Sequence, residues 1–211
     1  MTSAVEPARS PPPRDPRAIE RFVVEALDEA LAQRAVAVVR VPAPLSPIEA
    51  PLLAARRATS IVWRPPEGPS MACVGACVEL ALEGADRFAA LERAAAELFG
   101  RTLRRTHPDA PDAPPRLFGG FAFAEGGARE EPWDGFGDGR FVLPRWTYER
   151  RGDAAVLALA LDLRDGWAGR IALARSELAT LLEALARPPR LVPPPRVARL
   201  DAPREPWEAL V

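Results

Sequence analysis

Arg116-Leu117-Phe118-Gly119-Gly120-Phe121-Ala122-Phe123 is the stretch on which the reading of this chain turns. It reads as an apolar strand. Leu117, Gly119, Phe121 and Phe123 fall on one face, and Phe118, Gly120 and Ala122 on the other. Two adjacent glycines weaken a strand, so they point to close approach of another backbone, a bulge or a ligand. Phe118, Phe121 and Phe123 are spread over both faces, which implies a strand covered on both sides.

Downstream, residues 125–138 form a glycine-rich loop carrying Trp133 and Phe136. Residues 141–149 and 154–163 read as two strands joined by Arg150-Arg151-Gly152-Asp153, a hairpin signal. Ser176 is placed to cap a helix whose apolar stripe is Leu178, Leu181, Leu182 and Leu185, with Pro188 and Pro189 as its stop. Upstream, residues 107–115 are a proline-rich loop. Before it a helix is expected from Asp86 to near Arg104, with Gly100 as a possible earlier end. Its stripe is Phe88, Leu91, Ala95, Leu98 and Phe99. Residues 71–82 read as a strand bent at Gly75, and residues 60–64 as a short strand broken by Pro65 and Pro66. Residues 42–58 are punctuated by proline, with room for a short helix after Ser46. Residues 35–41 are an apolar run suited to a buried strand. Ile19, Phe22, Val23, Ala26, Leu27, Ala30 and Leu31 mark an amphipathic helix.

The order is helix, strands, helix, hairpin strands, helix. It predicts an α+β fold with a largely antiparallel sheet and flanking helices. Three regions follow: a disordered proline-rich tail over residues 1–17, an α+β region over residues 18–187, and a proline-rich linker over residues 188–211. The linker ends in Pro206-Trp207-Glu208-Ala209-Leu210-Val211, which reads as the first turn of a helix.

Composition narrows the chemistry. All 28 basic residues are arginine and the net charge is −1, so no global field favours nucleic acid or an anionic membrane. Without lysine, no Schiff base, lysine base or P-loop lysine comes from this chain. No apolar run reaches the ~20 residues that span a bilayer, and no signal-peptide core is present. On an extended strand Cys73 and Cys77 would sit ~13 Å apart, too far for a disulfide. The expectation is a reduced cytoplasmic protein with both thiols packed on one strand face.

Tempting motifs have plainer readings. Gly135-Phe136-Gly137-Asp138-Gly139 precedes a strand rather than a helix, so it reads as a turn and not a phosphate loop. Arg151-Gly152-Asp153 is a hairpin tip. Arg101, Arg104 and Arg105 suit a helix C-terminus. Trp63, Phe118, Phe121 and Phe123 read as core, since no basic stripe accompanies them as in single-strand nucleic-acid sites. His107 stands alone in a loop. No Ser-His-Asp, Cys-His or paired-carboxylate arrangement is legible. No residue is assigned a catalytic or metal-binding role, and substrate-binding residues stay unidentified.

Several segments in order resemble the N-terminal half of isochorismate synthases, in the chorismate-utilising enzyme family. They are Ile61-Val62-Trp63-Arg64-Pro65-Pro66-Glu67-Gly68, Val74-Gly75-Ala76 with Asp86-Arg87-Phe88, the Gly-Gly strand from Pro115, Trp133 with Phe136, and Phe141-Val142-Leu143-Pro144-Arg145. The resemblance covers residues 35–211. It implies a fold whose catalytic half follows the helix begun at Trp207 and is missing from this chain. For the complete enzyme it implies chorismate as substrate and Mg²⁺ on its carboxylate. A lysine-activated water would attack the ring while a glutamate protonates the leaving hydroxyl, yielding isochorismate for menaquinone or siderophore biosynthesis. Two other readings stay open: a non-catalytic partner or scaffold that pairs with a separate catalytic half, and part of another chorismate-utilising enzyme.

Overall fold

The computed structural model describes residues 15–55, 59–127, 131 and 133–188. Most of the proline-rich tail, and all but the first residue of the segment from 188 to 211, lie outside the described residues. So does the helix start at Trp207.

Helix α1 (Pro16–Ala32) begins two residues inside the expected tail, because Asp15 caps it. The Asp15 carboxylate accepts the Arg17 N–H at 3.0 Å, and Pro16 fills the first turn, where no N–H is needed. Ile19, Val23, Ala26, Leu27 and Ala30 face inward at helical spacing. The helix closes with Ala35 N–H on Ala30 O and Arg34 N–H on Leu31 O, with Arg34 itself at φ 51°. This is the left-handed closing pattern usually given to glycine.

Strand β1 (Val36–Pro42) follows, then a single turn of helix, α2 (Ala50–Ala54), strand β2 (Ser60–Trp63) and strand β3 (Ser70–Leu82). Helix α3 (Arg87–Gly100) stops at Gly100, short of Arg104. The chain then turns directly into strand β4 (Thr102–Thr106), which the sequence reading missed. Arg104 and Arg105 therefore sit on an edge strand, where Arg104 binds Asp112 and Arg105 binds Glu29 of α1. Helix α4 (Gly169–Ala186) starts seven residues before Ser176, which lies inside the helix and caps nothing.

The Gly-Gly strand is shorter than expected. Only Phe118–Phe121 pairs, as β5. Strands β6 (Gly139–Arg151) and β7 (Ala154–Asp162) form the hairpin, with Gly152 at φ 57° in its turn. The sheet order is β2-β3-β6-β7-β1-β4. One edge of β6 is shared: β5 pairs with its residues 139–142 and β7 with residues 146–151. Among the described residues only β1 and β4 run parallel; the other pairs are antiparallel. The fold is α+β with a mostly antiparallel sheet, as the element order implied.

Helices α1, α2 and α4 cover one face. There Ala37, Val39 and Val41, Trp146 and Tyr148, and Leu157, Leu159 and Leu161 pack with Leu27, Leu178 and Leu185. The opposite face carries a much smaller cluster: Val36, Val38, Leu143 and Ala160 against Leu98 of α3. Among the described residues no helix is long and apolar enough to cross a membrane.

Candidate functional site

The sparsely covered face holds a buried ion pair. Arg40 on β1 and Glu149 on β6 are 6% and 9% exposed at their side chains, and Arg40 Nη2 lies 3.1 Å from Glu149 Oε2. Strand β7 runs between them, and its Ala158 is paired with Arg40 on one side and Thr147 on the other. An alanine there leaves the guanidinium room to reach across. Arg40 Nε also donates to Pro111 O at 3.2 Å, which ties the proline-rich loop to the sheet. A cavity of about 30 Å³ opens beside the pair, lined by Thr147, Ala160, Arg116 and Phe118 among others. That volume admits a water-sized occupant and not an organic ring.

The glycine signal resolves at Gly119. A Cβ there would collide with Arg140 O and lie 2.6 Å from Phe141 Cα, so the pair marks close backbone approach to β6. Gly120 meets only the Phe136 ring, at ordinary contact distance. Phe121 packs between Phe88 and Phe141, with ring centroids 4.4 and 4.9 Å away. Phe123 lies beyond β5 and is fully exposed, while Trp63 is 52% exposed. The expectation that both are core fails: each lies where its strand ends, past the last covered position.

The Gly135–Gly139 stretch is a turn, as read, but it contains a residue the sequence reading passed over. Asp138 is 3% exposed. Its carboxylate accepts the N–H of Gly84 at 2.6 Å and the N–H of Gly126, so one side chain gathers three loops beside β5. Aspartate between two glycines was the available signal.

Cys73 is buried and Cys77 half-buried on β3. Burial pushes the Cys73 thiol up to about 11, opposed by the Thr147 hydroxyl. Burial and then the nearby Asp162 carboxylate push Cys77 to about 12. Both are protonated at neutral pH, which disfavours nucleophilic or metal-ligating chemistry. His107 sits at the start of its loop, its ring edge-on to Phe22 at 5.0 Å, and its Nδ1 accepts the Asp109 N–H at 3.2 Å. Among the described residues no group of three His, Cys, Asp or Glu side chains is placed to hold a metal ion.

This α+β sheet, with its glycine-marked strand and its Phe-Val-Leu-Pro strand, falls within a known class. The chorismate binding enzyme family profile matches residues 24–211, and the chain belongs to that family. Among solved structures it is similar to MenF, the menaquinone-specific isochorismate synthase from Escherichia coli, at 22% identity and a TM-score of 0.42. That comparison covers 79% of this chain and 34% of MenF, so the chain spans about a third of the other protein's length. Comparison with curated protein sequences gives no match.

Proposed function

We propose that this chain is the N-terminal, sheet-bearing portion of an enzyme that converts chorismate to isochorismate, and that it does not catalyse the reaction by itself. The observation that carries the reading is the family match over residues 24–211. The ordered segments that resemble isochorismate synthases support the narrower activity. Menaquinone or siderophore supply in the cytoplasm is the corresponding role.

The proposed chemistry asks for a base that activates water, an acid for the leaving hydroxyl and a cation for the carboxylate. The chain has no lysine to serve as the base. The described residues do not fit a Mg²⁺ site: no three His, Cys, Asp or Glu side chains among them are grouped to hold one, and Glu149, Glu177 and Asp112 are each paired with an arginine. No step of the reaction is routed through them. What these residues supply is a rigid sheet. Its α1/α4 face is covered by the chain's own helices, and its other face is the one on which catalytic elements would pack.

The test is chorismate turnover with Mg²⁺, followed by chromatography. Two samples are compared: the 211-residue chain alone, and the chain co-produced with the sequence encoded immediately downstream or with a separately encoded family partner. Isochorismate is expected only in the second sample. Turnover by the chain alone would overturn the non-catalytic role, and no turnover in either sample would overturn the isochorismate reading.

A further inference from the structure

A polar inclusion on the α1/α4 face is not used by the reading above. Gly75, at φ 68°, lies beside Arg145, and the register of β3 against β6 slips between Ala76 and Val78. In a regular strand, consecutive side chains point to opposite faces. Here Arg145 and Trp146 reach the same carboxylate oxygen of α4. Arg145 Nε donates to Glu177 Oε2 at 2.7 Å and Trp146 Nε1 donates to it at 2.8 Å. The extra residue of that irregularity, Cys77, is on β3; Arg145 lies in the stretch of β6 between the residues paired with β5 and those paired with β7, opposite the missing side chain of Gly75.

The arrangement leaves hydrogen-bonding capacity unspent. Among the described residues neither Nη1 nor Nη2 of Arg145 has a hydrogen-bond partner, and neither has Glu177 Oε1; the two side chains are 22% and 44% exposed. Both side chains line a cavity of about 320 Å³ whose other walls include Val74, Leu181 and Ala54. That volume is in the range of small-molecule sites, which combine apolar walls with a few fixed polar groups.

We propose that this cavity binds a small α-hydroxy or α-amino carboxylate with an apolar body. The two free Nη groups match a carboxylate, held as a bidentate pair. Glu177 Oε1 accepts from a donor on the neighbouring carbon. The apolar body rests on the half-buried Ala54 and Ala55. A carboxylate without that donor would meet the negative charge of Glu177 uncompensated. An amine without the carboxylate would leave the guanidinium unmatched. The inference is independent of the chorismate reading.

Isothermal titration of the 211-residue chain with L-phenyllactate, L-phenylalanine and 3-phenylpropionate tests it. At least one of the first two is expected to bind saturably, with Kd of about 1 mM or tighter. The third, which lacks the donor, should bind at least about tenfold more weakly. The tighter of the first two reports whether a hydroxyl or an ammonium is preferred. Arg145→Gln should weaken binding about tenfold or more. Thr180 is exposed on α4 at the cavity wall, so Thr180→Phe should block binding while leaving the circular dichroism unchanged, which keeps the test open if Arg145→Gln misfolds. The inference is overturned by absence of saturable binding for both donors, by equal binding of 3-phenylpropionate, or by undiminished binding to Thr180→Phe.

Discussion

On β7, Leu157, Leu159 and Leu161 are 0–1% exposed and pack under α1 and α4, whereas Ala158 and Ala160 between them face the other side. One strand thus presents a leucine face and an alanine face. The helices divide in the same way. Five side chains of α4 are buried, Ile171, Ala174, Leu178, Leu181 and Leu185, while α3 buries only Arg87 and Leu98 and leaves Phe88 58% exposed. A fully buried leucine contributes about 1.5–3 kcal/mol, so the leucine face carries most of the hydrophobic stabilisation. The alanine face is held instead by one buried ion pair and a tied-down loop. The contrast separates the face that carries most of the hydrophobic burial among the described residues from the face that carries little of it.

The largest expected effect is on the alanine face, because a charge is at stake. Glu149→Ala leaves Arg40 buried without its partner and should cost about 3–5 kcal/mol. Replacing both by leucine should cost much less, since no charge is then stranded. Urea unfolding of the three proteins checks the ordering. If Glu149→Ala costs less than about 1 kcal/mol, the pair is not buried as described.

Apolar truncations should then separate the faces. Leu157→Ala is expected to cost about 2–5 kcal/mol, because its neighbours cannot collapse into the space. Leu98→Ala, on a helix with few buried neighbours, should cost at least about 1 kcal/mol less. Equal costs, measured in the same unfolding experiments, would mean that α3 is as firmly packed as α4.

The smallest effect is a pH dependence of the alanine face. Burial pushes the Cys73 and Cys77 thiols up to about 11 and about 12 in the folded chain, above the ordinary thiol range. Between about pH 9 and 12 the unfolded chain releases these protons first, so stability is complete below that window and declines as pH rises through it. Replacing both thiols by serine should flatten the decline in unfolding midpoints across this range. An unchanged slope would show that the thiols are not held protonated by burial.

Much of this was legible in the sequence. Proline and glycine punctuation placed β1, β2, β3, β6 and β7 to within a few residues, and the 3.6-residue spacing found α1 and α4. The misses have local physical causes. Strand β4 was absorbed into α3 because Thr102-Leu103-Arg104-Arg105-Thr106 carries no apolar alternation; it is an edge strand held by parallel pairing to β1. The start of α4 was misplaced because Ser176 looked like a cap, while the true first turn has no side-chain cap at all. The Gly-Gly signal correctly indicated close backbone approach but overstated the strand, since β5 is limited by the four residues of β6 it can pair. The polar inclusions were out of reach. Nothing local to Arg40, Glu149, Arg145 or Glu177 announces partners 109 and 32 residues away.

Native-state hydrogen exchange on the 211-residue chain tests the asymmetry most directly. The interior amides of α1, α4 and β7 should exchange only through global unfolding, while those of α3 and β5 exchange through local opening at lower free energy. Protection of α3 and β5 equal to that of α4 would contradict it, because the alanine face would then be as closed as the leucine face.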